Sequence, residues 1–360
     1  MGLNYDCGDF AGNQQKVLAL ADWDGFPARR TEAAQRGRLR GIGIANPIEK
    51  AAGPGQEFAE IRFHPSGNVT LLMGSKNQGQ GHATIFRQIL IEQLGLAPED
   101  IRYTDGDTDI VAFGIGTNGS RSTVIGGTAV TIAAAKIIAK AKKLAAHLLE
   151  VSEADIGFAD GKFTVPGTDR AITLKEVART SYLIQRLPKG MEPGLFETGV
   201  FDPQVQTFPC GTHVCELEID EDTGKIEIQR YVAVDDVGTV INALTLHGQV
   251  HGGVVQGVGQ AISESIVYDP GSGQLLSGSF MDYGMPRADD ICAIEVDDHA
   301  VPTKSNPLGA KGAGEAGTVG ALPAVMNAAL DALAPLGIRH IEMPLTPERV
   351  WRAIRDARAR

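Results

Sequence analysis

Residues 68–90 read NVTLLMGSKNQGQGHATIFRQIL: an alternating apolar run, a glycine turn and a helical pattern in one stretch. How this stretch is read decides the fold. Gly79, Gly81 and Thr84 imitate part of the fingerprint that opens a nicotinamide-binding, doubly wound domain. Two features set that reading aside. The third glycine is missing, and EFAEIRF (57–63), joined to it by the turn HPSGN (64–68), makes 69–73 the arm of a hairpin rather than the first strand of a βαβ unit. What survives is a helix start with open N–H groups, suited to an anion, where Gln78, Gln80 and His82 add two amides and an imidazole. Taken alone, the segment is better explained as a turn that merely closes packing.

Working outward, residues 12–38 read as a helix or helix pair, with Val17, Leu18, Leu20 and Ala21 near helical spacing, and RLRGIGI (38–44) as a strand. Downstream, Ile85, Ile89 and Leu94 share one helix face, IRYT (101–104) is a short strand, and 105–120 is a loop rich in turn residues. Ser122–Val151 is a long helical stretch of small residues. Residues 152–210 mix short strands with a brief helix near Leu174–Ser181, and LPKGMEPG (187–194) is read as a hinge between lobes. THVCELEIDEDTGKIEIQRYVAVDDVG (212–238) is a hairpin about DEDTG. A glycine-rich helix (Leu246–Glu264), strands near SIVYD (265–269) and CAIEVDD (292–298), and helices at Thr318–Leu333 and Thr346–Arg358 complete the chain. Pro323 is expected within the first turn or two of its helix, where the missing N–H is tolerated. The pattern predicts an α+β fold of two lobes, mixed sheets covered by helices: an N-terminal helical segment (1–38), a first lobe (39–205) and a second (206–360).

Composition narrows the function classes. A formal charge of −11, with no basic stripe, disfavours nucleic acid. No uninterrupted apolar run of about 18 residues argues for a membrane span, and the opening MGLNYDCGDF is no secretory signal. Cys7, Cys210, Cys215 and Cys292 form no CxxC pair, which favours a reduced, cytoplasmic location. Cys210 and Cys215 read as core residues rather than nucleophiles.

Glycine is the unusual residue: 44 in 360, about 12% against a typical value of about 7%. The glycines gather in four places, 74–82, 114–120, 248–260 and 309–317, each near the start of a helical pattern. Four such loops imply an extended ligand rather than one small anion. In 116–123, Ser120, Ser122 and Thr123 can cap the following helix, and Arg121 can neutralise an anion. Gln249 in the third cluster is a plausible donor to an oxygen, whereas His251 lacks any partner at metal-ligand spacing. The fourth, GAKGAGEAG, carries a lone carboxylate, Glu315. An unpaired Glu is costly in a core, and its neighbours are too small for an ordinary surface loop, so something large is expected to pack there.

In order, GNVTLLMGSKNQGQGH, GTNGSRST, HGQVHGGVVQGVGQA and NPLGAKGAGEAG resemble the successive cofactor loops of the xanthine oxidase family of molybdenum hydroxylases. The resemblance is to the molybdopterin-binding large subunits of the carbon monoxide dehydrogenase and aldehyde oxidoreductase type, specifically their C-terminal half. It implies that Glu315 is the general base, near molybdenum by way of its hydroxide, and that Gln249 bonds an oxygen ligand of the metal. Gln78, Gly79, Gln80, Gly81 and His82, with Gly119, Ser120, Arg121, Ser122 and Thr123, would hold a molybdopterin, in its cytosine dinucleotide form. Lys311, Gly312 and Gly314 would bring the last loop close enough for Glu315 to act, since larger side chains would keep the cofactor away. In the family, the substrate is an aldehyde, an N-heterocycle or carbon monoxide, water supplies the oxygen, and electrons leave through iron–sulfur and flavin centres.

The family's upstream half, with a GGGFG-like cofactor loop and the substrate loop, has no counterpart in this sequence, nor do an iron–sulfur C-x₄-C-x₂-C pattern or a flavin domain. The expectation is therefore half of a molybdenum-binding unit. Its partners would be the upstream half, an iron–sulfur subunit and an FAD subunit in a hetero-oligomer. The alternative is a non-catalytic assembly half that depends on the chain carrying the upstream loop.

Overall fold

The amphipathic residues after Asp9 form two helices, α1 (Phe10–Leu20) and α2 (Phe26–Gln35), and Asp9 starts the first by accepting the Gly12 N–H at 3.0 Å. The computed structural model describes residues 3–53 and 55–359; Met1, Gly2, Pro54 and Arg360 lie outside it. β1 (Arg38–Ala45) follows. Next come β2 (Glu57–Phe63), β3 (Val69–Met73), α3 (His82–Leu94), β4 (Ile101–Asp105) and α4 (Gly127–Leu148), the last entered through a π-helical turn at Ser122–Gly126. The turn at 64–68 closes with the His64 N–H donating to the Asn68 carbonyl at 2.8 Å, and β2 and β3 pair antiparallel as expected. A small sheet of β5 (Gly157–Ala159), β6 (Lys162–Thr164) and β7 (Ala171–Thr173) precedes α5 (Leu174–Thr180) and β8 (Phe196–Phe201).

Three expectations need correction. β3 also pairs parallel with β4 through α3, so it is at once a hairpin arm and the first strand of a βαβ unit. The stretch 187–194 is not a hinge, because the chain returns to the first sheet as β8, beside β2 in the order β4-β3-β2-β8. Finally, β1 does not belong with the first sheet. It hydrogen-bonds antiparallel to β9 (Cys210–Asp220) in a second sheet. Strand pairing between distant residues decides this, and alternation within a strand does not name its partner.

The second sheet runs β1-β9-β10-β11, with β10 (Ile226–Asp236) forming the expected hairpin with β9 and pairing parallel with β11 (Ile294–Asp298). The crossover between β10 and β11 contains α6 (Ala243–Ile262); α7 (Ala316–Leu333) and α8 (Pro347–Arg358) end the chain. Instead of the strand expected at 265–269, only an isolated bridge joins Tyr268 to Leu275. Pro323 lies inside α7, beyond the first turn.

Each sheet buries one core. Ile61, Phe63, Leu71 and Met73 pack under α3, α4 and α5 in the first lobe, and Leu217, Ile219 and Tyr231 under α6, α7 and α8 in the second. The other face of the second sheet is covered by α1 and α2 through Val17, Ala21, Phe26, Val214 and Val232. Small residues set the helix approach. A Cβ at Gly43 would meet the backbone of α7 at Ala324–Ala328, and Gly253 and Gly257 meet Gly317–Thr318 and Ala321 where α6 crosses α7. Much of the third glycine cluster thus serves helix packing and not a ligand. By length and hydropathy, Ser122–Leu148 and Ala316–Leu336 would each reach across a membrane, which the absence of a long apolar run did not suggest; both are core helices of their lobes here.

Candidate active site

The four loops that follow the carboxyl ends of the two parallel strand pairs, β3–β4 and β10–β11, face one another across the lobes. Between them lies a cavity of about 630 Å³ lined from 78–82, 117–123, 237–249 and 311–315. Its position outside the carboxyl ends of parallel strands is the usual place for a ligand in such units. Of the residues assigned from sequence, Gln78, Gly79, Gln80, His82, Gly119, Ser120, Arg121, Ser122, Thr123, Gln249, Lys311, Gly314 and Glu315 all reach this cavity. Gly81 and Gly312 do not line it.

The cations assigned to the cavity do not serve it as free charges. Arg121 and Lys311, the cations the sequence offered to a ligand, are both almost wholly buried and already paired. Arg121 Nη1 sits 2.8 Å from Glu57 Oε2, and Nη2 donates to the carbonyls of both Gly55 and Gln56. Glu57 also accepts from Ser75 at 3.0 Å, so one ion pair ties β2, the 74–82 loop and the 116–121 loop together. Lys311 Nζ lies 2.7 Å from Asp236 Oδ2 at the end of β10, and its N–H donates to the Val237 carbonyl at 2.7 Å. These cations are staples for the loops. Nor do Ser120, Ser122 or Thr123 cap the helix they precede; Arg121 occupies the cap position and no side chain bonds there. An anion in the cavity would therefore be held by open backbone N–H groups, at the Gly81 start of α3 and the Arg121 start of the π turn, where no side-chain cap competes.

Glu315 is exposed and occupies the cap position of α7. Ser120 grips it twice: Ser120 Oγ donates to Glu315 Oε2 at 3.1 Å and accepts the Glu315 N–H at 3.0 Å. This explains the bare sequence around it. A Cβ at Gly312 would strike the Ser120 carbonyl and lie 2.8 Å from Ala51 Cβ, and one at Gly314 would lie 3.0 Å from Ser120 Oγ. Those glycines admit the neighbouring loop, whereas the sequence reading had them admit the cofactor. Gln249 completes the packing by donating to the Gly314 carbonyl at 2.6 Å. His251 is held by the His247 and Ile294 carbonyls, consistent with a structural role.

Residues 16–292 match the family model described as the molybdopterin cofactor-binding domain. The chain belongs to this family. As part of the wider xanthine oxidase family, it is 38% identical to the carbon monoxide dehydrogenase large chain of Hydrogenophaga pseudoflava over 99% of its own length and 46% of the relative's. It is 36% identical to the nicotine 6-hydroxylase large subunit of Paenarthrobacter nicotinovorans, over 98% of this chain and 45% of that one. A solved carbon monoxide dehydrogenase from Oligotropha carboxidovorans superposes with a TM-score of 0.92 at 38% identity, covering 99% of this chain and 46% of the other. The chain thus spans about half the length of the relatives it matches.

The cavity suits the family's pterin on three counts. Its volume is within the range of about 300–1,000 Å³ usual for cofactor sites. Cβ positions at the lining residues Gly79 and Gly119 meet nothing within 4 Å. His82 borders the cavity, its Nδ1 is buried without a hydrogen-bond partner, and burial lowers its pKa to about 4, so the ring is neutral. A neutral imidazole with a vacant nitrogen is ready to bond a ligand.

Two groups escaped the sequence reading. Val237–Leu246, including Thr239, Asn242 and Thr245, forms a full wall of the cavity. The available signal was a strand end, DDVG, leading to Asn242, which caps α6 by accepting the Thr245 N–H at 3.0 Å. The other is Glu49, outside the cavity in a stretch with no motif, whose carboxyl pKa is pushed up to about 7, chiefly by burial.

Proposed function

We propose that the chain is the molybdopterin-holding part of a molybdenum hydroxylase large subunit and that Glu315 is its general base. One observation carries this: three glycine-rich loops and the Val237–Gln249 segment, distant in sequence, converge on one cavity with an exposed carboxylate, Glu315, at its edge, gripped by Ser120. When bound, the molybdenum centre supplies two-electron oxidation with an oxygen atom taken from water. The chain's own share is binding and proton handling. The starts of α3 and of the π turn hold the anionic part of the pterin, Gln78, Gln80 and His82 bond its polar edge, and Gln249 holds the Glu315 loop in place. Glu315 accepts the proton, a role worth about 10²–10⁴-fold in rate. No residue of the chain is assigned as a metal ligand.

The relatives' names make carbon monoxide the first substrate to test, with N-heterocycles and aldehydes next. The cytosine dinucleotide form, iron–sulfur and FAD subunits in a hetero-oligomer, and a cytoplasmic setting belong to the same proposal; the last is supported by four free cysteines. In the assembled enzyme, Glu315→Gln should lower turnover at least a hundredfold with molybdenum and pterin content near wild type. Retained turnover rules out the role.

A second reading, that the chain is inactive without a partner and serves assembly, is favoured by exposed apolar side chains. Leu244, Ile266, Phe280 and Met281 are 84%, 65%, 77% and 91% exposed. Such a surface is expected to be covered by the rest of a large subunit. Purified chain that folds and self-associates without molybdenum or pterin supports this reading; a monomer that binds pterin opposes it.

A further inference from the structure

Ser120 stands where a serine is unusual. Gly119 and Ser120 both have positive φ, +53° and +52°, in a tight turn closed by the Arg121 N–H donating to the Asn118 carbonyl at 3.3 Å. Positive φ at both central residues is the pattern of a type I′ turn, in which glycine, asparagine and aspartate dominate. A serine there carries its Cβ into a left-handed backbone, a strain that persists only where the surroundings over-determine it. Here they do so. The Gly119 carbonyl accepts the Ala52 N–H at 3.0 Å, Arg121 is locked to Glu57, and the bare Gly312 makes room for the Ser120 carbonyl and Cβ. Glycine at 120 would make the same turn without strain, so what the serine adds is its hydroxyl.

That hydroxyl is spent on Glu315. Ser120 Oγ accepts the Glu315 N–H at 3.0 Å and gives its single hydrogen to Glu315 Oε2 at 3.1 Å. The two bonds run to the backbone and to the carboxyl end of one residue, so together they close a ring that fixes the Glu315 side chain against its own main chain. From the other lobe, α6 braces the same loop where Gln249 Nε2 donates to the Gly314 carbonyl at 2.6 Å. We propose that Ser120 is a positioning residue for Glu315: a strained turn presents its hydroxyl to fix the direction in which the carboxyl group faces the cavity. This differs from the sequence reading, in which Ser120 holds the cofactor. The only hydrogen it could offer a ligand already goes to Glu315, and a Cβ at Gly314 would lie 3.0 Å from Oγ, so the Glu315 loop also covers the hydroxyl closely.

The role as a positioner rests on Glu315 being the base, and the tests separate the two ideas. In the full chain without cofactor, amide hydrogen exchange at Glu315 should become about tenfold faster or more in Ser120→Gly and Ser120→Ala. The urea midpoint should fall further in Ser120→Ala, which keeps the left-handed strain, than in Ser120→Gly, which relieves it. In the assembled enzyme, both should lower kcat about 10- to 100-fold with KM, molybdenum and pterin content near wild type. Ser120→Thr keeps the hydroxyl but tolerates positive φ less well, so it should retain most of kcat at a lowered urea midpoint. Turnover then follows the hydroxyl while stability follows the backbone, a split that a purely structural serine does not produce. A wild-type kcat in Ser120→Gly overturns the proposal, as does a pterin content that falls in step with kcat, which would make Ser120 a cofactor holder. If exchange at Glu315 responds as expected but Glu315→Gln is active, the base assignment fails and the hold of Ser120 on Glu315 stands.

Discussion

Substituting Gly312 with Ala tests whether the last loop is built to receive Ser120. The new Cβ would lie 2.8 Å from both Ala51 Cβ and Ser120 Cβ, and closer still to the Ser120 carbonyl oxygen, where ordinary contact begins near 3.4 Å. The Ser120 carbonyl would have to retreat by more than about 1 Å, and neither wall is free to do so. On one side, the Gly119 carbonyl accepts the Ala52 N–H at 3.0 Å and Arg121 is locked to Glu57. On the other, Lys311 is locked to Asp236. Overpacking between fixed walls should cost about 2–3 kcal/mol, the upper part of its usual range. Urea unfolding followed by circular dichroism reads this directly. Gly252→Ala is the control: its Cβ meets nothing within 4 Å on a regular helix, so it should stabilise by about 0.5–1 kcal/mol. If Gly312→Ala changes stability by less than about 0.5 kcal/mol, as an exposed site would, the close approach of these loops is wrong.

The buried ion pairs give a second test. Lys311→Met and Arg121→Met each strand a buried carboxylate, and each should cost about 3–5 kcal/mol, whereas Lys304→Met at an exposed site should be near neutral. Equal, small effects would return these cations to a ligand-binding role. His82 supplies a pH test. Its pKa is depressed from 6.5 to about 4, so the stability it contributes is present above 6.5 and is lost as pH falls towards 4. The acid-side slope should shrink in His82→Gln, and an imidazole that titrates above pH 6 by NMR would contradict a buried neutral ring. Loading the enzyme with pterin should protect the His82 and Ser120 loops from hydrogen exchange; unchanged protection would remove the ligand from this cavity.

Much of the fold was legible because local patterns have local causes. The alternation in 57–63 and 69–73 with a glycine turn between them specifies a hairpin, as does DEDTG between β9 and β10. Apolar residues at helical spacing located α3 and α8 to within a residue or two. The site was legible for a different reason: glycine and a lone carboxylate are unusual enough in sequence to mark places where backbone must come close to something.

What that something is, only the tertiary structure decides. The sequence of 38–45 reads as a strand, but its partner lies some 170 residues later, and period-2 alternation carries no address. Arg121 reads as a cation free to meet an anion because Glu57, which neutralises it, is remote in the chain, and the pairing of Lys311 with Asp236 is hidden for the same reason. Gly312 and Gly314 announce a close approach without saying that Ser120 is what approaches. Residues alone thus determined the local elements and the positions of bare backbone. The pairing of charges, the joining of strands and the grip of Ser120 on Glu315 are relations between distant residues, fixed only when both cores close and bring the two sets of loops face to face.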